Sequence, residues 1–151
     1  MHKSFTAKPK HAARIYLYTA QTFTALTDDP FPGARAIAAA QGFKGGAGQA
    51  VLVPGETGAL QSVLFGLGNG KDALAVAALS GRLPEGDYEI AEDSGQPFAH
   101  IAAAWADGAY RFERYKSEKT NPPRLKVPGG KDGERLSREA EAAVHLRDMV
   151  N

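Results

Sequence analysis

Val63-Leu64-Phe65-Gly66-Leu67-Gly68-Asn69-Gly70-Lys71-Asp72 passes from an apolar run through three glycines to an acidic residue within one short stretch. Leu60 to Leu67 reads as a strand and Gly66 to Gly70 as a glycine turn. Asp72 then caps a helix that runs through Leu79 and is ended by Gly81 and Pro84. A strand that turns directly into a helix is the repeating unit of an α/β fold, so the neighbouring segments are read for the same alternation.

Upstream, Gln49 to Val53 reads as a second strand, paired antiparallel with Leu60 to Leu67 across the turn Pro54-Gly55-Glu56-Thr57-Gly58. Ala13 to Thr19 (ARIYLYT) is rich in β-branched and aromatic residues, as an early strand should be. Between them Pro32 starts a short Ala-rich helix, Gly33 to Gln41, which Gly42 closes. Downstream, Tyr88 to Ala91 is a short strand, and Ser94 caps a long helix. On that helix Phe98, Ile101, Trp105 and Phe112 share an apolar face, with Asp107, Arg111 and Arg114 opposite. Ser117 to Pro123 is a polar connection to a last strand, Arg124 to Val127, followed by Pro128-Gly129-Gly130. Glu134 to Asn151 is a final helix whose stripe of Leu136, Ala140, Ala143, Val144 and Val150 persists to its last turn. The alternation predicts an α/β fold, a mixed sheet with helices on both faces. The uncapped final helix predicts that its stripe is covered by chain that follows, as at the front of a longer protein, and that the stripe drives some self-association when uncovered.

Composition narrows the function classes. With 43% hydrophobic residues in 151, the chain suits one domain with a real core. No apolar run approaches the ~18 residues needed to cross a bilayer. The basic N-terminal stretch lacks the apolar centre of a secretory signal, so a cytoplasmic address is expected. The absence of cysteine excludes disulfides, a thiol nucleophile and thiolate metal sites. The net charge of +1 conceals segregation. Residues 1–14 carry four Lys or Arg and no acid, residues 15–110 carry four against ten, and residues 111–138 carry nine against four. The last segment, with Arg111, Arg114, Lys116, Lys119, Arg124, Lys126, Lys131, Arg135 and Arg138, is one that could face an anion; its ordinary reading is a solvated helix end and loop.

Few residues invite a chemical claim. Gly66, Gly68, Gly70 and Lys71 follow a strand and open a helix, where backbone N–H groups favour an anion. Yet Asp72 stands where a phosphate-binding P-loop needs Ser or Thr, and Lys71 occupies the third glycine of the dinucleotide fingerprint. These four are weak candidates for a phosphate loop, and a tight strand-to-helix turn is the default. Gly42 to Gly48 reads as a mobile connection, with a lid or an anion nest as the functional variant. His2, His11, His100 and His145 lack ligand spacing, and no H-E-x-x-H or G-x-S-x-G run occurs, so the residues offer neither a catalytic set nor a metal site.

Several runs nevertheless resemble a known family. GFKGGAGQ (Gly42 to Gln49), VLFGLGN (Val63 to Asn69), Val76 to Ile90, AAAWADGAYRFERYK (Ala102 to Lys116) and AEAAVHLRDMVN (Ala140 to Asn151) resemble, in order, the N-terminal region of the leucyl aminopeptidase (cytosol aminopeptidase) family. The run Trp105 to Lys116 and the terminal Arg147-Asp148-Met149-Val150-Asn151 carry most of the weight. The resemblance implies a macro-domain-like three-layer α/β/α sandwich over residues 1–131, with 132–151 starting a linker helix to a C-terminal catalytic domain. Family members are hexameric metallopeptidases that remove N-terminal residues with two divalent cations, zinc or manganese. The lysine, carboxylates and arginine of that centre lie in Asp-Ser-Gly-Gly and Asn-Thr-Asp-Ala-Glu-Gly-Arg contexts, neither of which occurs here. The implied role is therefore a non-catalytic domain whose partner is the catalytic half of the same polypeptide. The alternatives are a nucleotide or ADP-ribose module using Gly66 to Lys71 and Gly42 to Gly48, or a DNA-binding accessory domain using Arg111, Arg114, Lys116, Lys119 and Lys126.

Overall fold

A computed structural model describes the backbone of residues 1–72, 74–115 and 121–150, and the side chains of these apart from 111–115 and 144–150. The elements in chain order are β1 (Phe5–Thr6), β2 (Ala12–Thr19), α1 (Ala20–Thr24), α2 (Ala34–Ala40), β3 (Ala50–Pro54), β4 (Leu60–Gly68), α3 (Ala77–Ser80), β5 (Asp87–Glu92), α4 (Phe98–Tyr115), β6 (Arg124–Lys126) and α5 (Gly130–Val150). The strands form one sheet in the order β1-β6-β5-β2-β4-β3. The β3–β4 pair is antiparallel and every other pair is parallel. This is the mixed α/β sheet expected from the sequence, with β2 near its centre.

Alternation along β2 sets the two faces, because successive side chains of a strand point to opposite sides. Ala13, Ile15 and Leu17 join Val63, Phe65 and Leu67 of β4, Tyr88 of β5 and Leu125 of β6 in a core roofed by Leu79, Ile101, Trp105, Leu136 and Ala140. Tyr16 and Tyr18 point the other way, with Val51 and Leu64, and are covered by Ala38 and Phe43, with Phe23, Leu26, Phe31 and Ile37 partly buried around them. The chain is thus three layers deep: α3, α4 and α5 on one side of the sheet, α1 and α2 on the other.

Tertiary contacts account for what local pattern did not foresee. The two-residue β1 lies parallel to β6, held by Leu125 N–H to the Ser4 carbonyl at 2.8 Å and Val127 N–H to the Thr6 carbonyl at 2.9 Å. The five-residue α1 follows β2 without a loop because Thr19 caps it in a reciprocal box with Thr22. The helix expected from Asp72 to Leu79 is mostly not helical: Asp72 accepts from the Leu74 N–H at 2.9 Å, three-residue turns follow, and α3 begins only at Ala77. Asp72 therefore closes a local side-chain turn in place of capping a helix. Ser94 does not cap α4 either, since the first-turn amides of His100 and Ile101 donate to the Pro97 carbonyl.

Within α4, Ile101 and Trp105 are buried as expected, whereas Asp107 is half-buried because α3 and α5 flank the helix on both sides. Helix α5 starts four residues earlier than read, at Gly130. Its packed stripe is Gly133, Leu136, Ser137 and Ala140, and Ala143 is exposed. A Cβ at Gly133 would stand 2.1 Å from the Pro128 carbonyl oxygen, so the first turn closes on that carbonyl only with glycine there. The side chains of Phe112, Arg111, Arg114, Val144, His145 and Val150 and all of Lys116 to Thr120 and Asn151 lie outside the described residues.

Candidate functional site

In an open parallel sheet, ligands bind outside the carboxyl ends of the strands, where the chain order reverses. Here that place is above β2, with β4 on one side and β5 on the other. Three connections converge on it: the glycine-rich strap 42–49, the turn 69–76 after β4 and the turn 93–97 after β5.

The strap, read as a connection between elements, is held by side-chain hydrogen bonds and one buried ring. Phe43 is its buried anchor, edge-on to Phe23 with ring centroids 5.0 Å apart. The Gln49 side chain folds back along it, accepting from the Lys44 and Gly46 N–H groups, both at 2.9 Å, and donating to the Gly42 carbonyl at 3.2 Å. From the far side of the sheet, Arg82 donates to the Gly48 carbonyl at 2.8 Å, its guanidinium 5.8 Å from the Phe65 ring centroid.

The glycines serve close approach. A Cβ at Gly45 would meet the Thr19 carbonyl oxygen at 2.6 Å, one at Gly66 the Gly46 carbonyl oxygen at 1.9 Å, and one at Gly68 the Ala47 Cβ at 2.9 Å. The strap therefore crosses the ends of β2 and β4 at backbone distance. Its carbonyls take two of the amides that were the phosphate-loop candidates, and local turns take the other two. Gly66 N–H donates to the Gln49 carbonyl at 2.8 Å, Gly68 to Gly45 at 2.9 Å and Gly70 to Leu67 at 3.0 Å, while Lys71 N–H donates to Asn69 Oδ1 at 2.9 Å. In this conformation Gly66, Gly68, Gly70 and Lys71 have their amides committed within the chain.

The β5 side is closed as well. Ser94 Oγ donates to the Leu17 carbonyl at 2.6 Å and lies 3.0 Å from Thr22 Oγ1. Ser94 sits at φ 50°, a left-handed conformation costly for a residue with a Cβ. Glu92 and Asp93 hold that turn by accepting from the Ser94 and Gly95 N–H groups, each at 2.8 Å. Gln96 then reaches across to the Gly70 carbonyl at 3.1 Å.

The remaining chemical candidates are dispersed. His2 is buried, with Nδ1 accepting from the Ser4 N–H at 3.1 Å and 2.6 Å from Ser4 Oγ; His11 and His100 are exposed. Among the described residues no three His, Asp or Glu side chains gather as metal ligands. Of the residues singled out for DNA, Lys126 is described, and its ammonium lies 3.8 Å from Glu89. Arg124 of the same segment grips Asp87 with Nε and Nη2 at 2.8 and 3.0 Å. No helix among the described residues is long and apolar enough to cross a membrane.

The fold and this closed carboxyl edge define a class: an α/β sandwich whose glycine loops pack on one another. Residues 15–128 match the model of the M17 aminopeptidase N-terminal domain, and the chain belongs to that family. Among solved structures, the cytosol aminopeptidase of Coxiella burnetii superposes with a TM-score of 0.70 at 23% identity, over 89% of this chain and 30% of that one. A K354E mutant of tomato leucine aminopeptidase gives 0.55 at 18% identity, over 91% and 34%. The bottromycin maturation enzyme BotP, in a complex with Mn, gives 0.54 at 24% identity, over 95% and 32%. The chain therefore spans about a third of the length of the structures it matches. A comparison with curated protein sequences found no match.

Proposed function

We propose that this chain is the non-catalytic N-terminal domain of a leucyl aminopeptidase-like metallopeptidase, a cytoplasmic hexamer whose catalytic domain removes N-terminal amino acids from peptides. The observation that carries the reading is the family match over residues 15–128. Residues 1–131 would form the domain and 132–151 the start of the linker helix. The two divalent cations, zinc or manganese, would belong to the catalytic domain, where they would activate the attacking water and polarise the scissile carbonyl. The contribution of this chain is then shape: a rigid sandwich whose carboxyl edge is spent on its own packing.

The purified chain, assayed with leucyl p-nitroanilide and added manganese or zinc, should give no turnover above the protein-free blank. Joined to the chain encoded downstream of Asn151, it should give turnover that a chelator abolishes. Chelator-sensitive hydrolysis by the isolated chain would defeat the non-catalytic reading. A downstream frame without a metal-ligand set would defeat the peptidase reading of the parent.

A further inference from the structure

The sheet ends in two strands of opposite character. At one edge β1 is two residues long and bracketed by Lys3 and Lys8, the short, charged form in which native edges resist further pairing. At the other edge β3 runs for five residues, Ala-Val-Leu-Val-Pro, inside a stretch, 45–55, that holds no charged side chain. The phase of its ladder fixes what this edge presents. Gly66 N–H donates to the Gln49 carbonyl and Gly55 N–H to the Ala59 carbonyl, while Val51 stands opposite Leu64 and Val53 opposite Ser62. Residues 49, 51, 53 and 55 thus turn their peptide groups to β4, and those of Ala50, Leu52 and Pro54 point away from the sheet. No loop carbonyl or side chain among the described residues takes the Ala50 or Leu52 amide. The Leu52 side chain shares the face of Ala50, which packs on the deep core, yet Leu52 is 41% exposed.

An open strand edge accepts another strand, and this one is complementary to itself. About a two-fold axis normal to the sheet at Leu52, each Leu52 N–H meets the Leu52 carbonyl of the other copy, and each Ala50 N–H meets the Pro54 carbonyl. Pro54 offers only an acceptor there, and an acceptor is what Ala50 needs. Val51 then stands opposite Val53 and Leu52 opposite its own equivalent, so apolar residues meet at each of these positions and no charge is buried. The axis sets each helical layer beside its own counterpart. Pro54 and the bulge between Val53 and Pro54 end the straight edge, and a two-fold pair uses each edge once, so the assembly closes as a dimer. We propose that the open edge of β3 is a self-association surface, at which a second copy of this chain continues the six-stranded sheet through paired Leu52 residues. A few backbone hydrogen bonds and one leucine pair make a small contact, so the association is weak, with a Kd of about 0.1–1 mM, and indifferent to salt.

The chain has no cysteine, so Leu52→Cys introduces a single thiol. Residues directly opposed in such a hydrogen-bonded pair lie ~5.5 Å apart between Cα atoms, within the span of a disulfide. Mild oxidation at millimolar concentration should cross-link the Leu52→Cys chain at least ten-fold faster than a Leu74→Cys chain, whose leucine is 53% exposed elsewhere on the surface. Sedimentation equilibrium of the wild-type chain should show dimer at millimolar concentration in low and high salt alike, with hydrogen exchange at the Ala50 and Leu52 amides slowing as concentration rises. Leu52→Lys should weaken the dimer at least ten-fold; cross-linking, which needs an intact edge, separates this from a loss of folding. A wild-type chain that stays monomeric at millimolar concentration overturns the proposal. So does a dimer that Leu52→Lys leaves intact, or one whose Leu52→Cys form cross-links no faster than Leu74→Cys, since it would belong to another surface such as α5. Slowed exchange at Leu52 on adding a valine-rich pentapeptide, in a chain that stays monomeric, would assign the edge to extended peptides and overturn it too.

Discussion

The two faces of the sheet are built on different principles. Under α3, α4 and α5 the core is deep and made of side chains: Trp105 is completely buried, lies 5.7 Å from the Tyr88 ring and donates to both the Ser4 and Pro123 carbonyls, at 3.1 and 3.2 Å. Under α1, α2 and the strap the cluster is smaller, with Ala38 and Phe43 buried and Phe23, Leu26, Phe31 and Ile37 only partly buried. There, at the ends of β2 and β4, backbone meets backbone through glycine, as it also does on the deep face where α4 meets α3 at Gly108. The deep face adds to this a large side-chain volume that the thin face lacks, and substitutions should separate the two.

The largest effect belongs to the deep face. Trp105→Ala removes a fully buried indole and leaves the two carbonyls without their shared donor, which should cost about 3–5 kcal/mol. For a domain whose whole stability is of order 5–15 kcal/mol, urea denaturation should find the midpoint moved far down or lost. Phe31→Ala, which removes a ring packed 5.2 Å from Tyr16 under partial cover, should cost about 1–2 kcal/mol. Equal losses at the two positions would break the distinction between the faces.

Gly66→Ala probes distance on the thin face. A methyl group there would stand 1.9 Å from the Gly46 carbonyl oxygen, a backbone atom that moves only if the strap lifts. Overpacking of this kind costs about 1–3 kcal/mol. The displacement should appear as faster hydrogen exchange at the Gly66 and Gly68 amides, which donate to the strap. Gly42→Ala, at a positive-φ position with nothing within 4 Å of its Cβ, should cost no more than about 1 kcal/mol of backbone strain. A harmless Gly66→Ala would mean that the strap is loosely held after all.

What could be read ahead of the structure follows the same division. The deep face announces itself by period: β2, β4 and α4 carry long apolar patterns, and Ile101 and Trp105 were placed on the right side of their helix from spacing alone. The antiparallel pairing of β3 and β4 was legible from Pro54-Gly55-Glu56-Thr57-Gly58, because turn chemistry is local. The thin face was not legible in this way. The strap depends on Phe43 and Arg82, whose partners lie in other elements, and on Gln49, whose side chain bonds within the strap, so the tight turn read at Gly66 to Gly70 gave no sign that the Gly66 and Gly68 amides meet the strap. The parallel pairing of β1 with β6 joins residues more than a hundred positions apart, and no local rule reaches that far. The ion pair of Arg14 with Glu89 across β2 and β5 is hidden for the same reason.

The effect that is smallest at neutral pH compares one tyrosine from each face. Burial pushes the Tyr88 hydroxyl, which donates to the Pro84 carbonyl at 2.8 Å on the deep side, up to about 12. On the thin side burial likewise pushes Tyr18 up to about 12, with the Glu92 carboxylate adding to the shift. A phenol that ionises near 10 in the unfolded chain and near 12 in the folded one is held protonated by folding. Between those values the native state binds more protons, so stability is complete below about pH 10 and falls as pH rises toward 12. Each tyrosine contributes at most about 3 kcal/mol to that fall. Tyr18→Phe and Tyr88→Phe should each flatten the alkaline limb of a urea-midpoint profile, while Tyr88→Phe alone also lowers the plateau near neutrality by about 1 kcal/mol, having lost its bond to Pro84. If Tyr18→Phe leaves the alkaline limb unchanged, water reaches Tyr18 beneath α1 and α2, and the thin layer is no barrier to solvent.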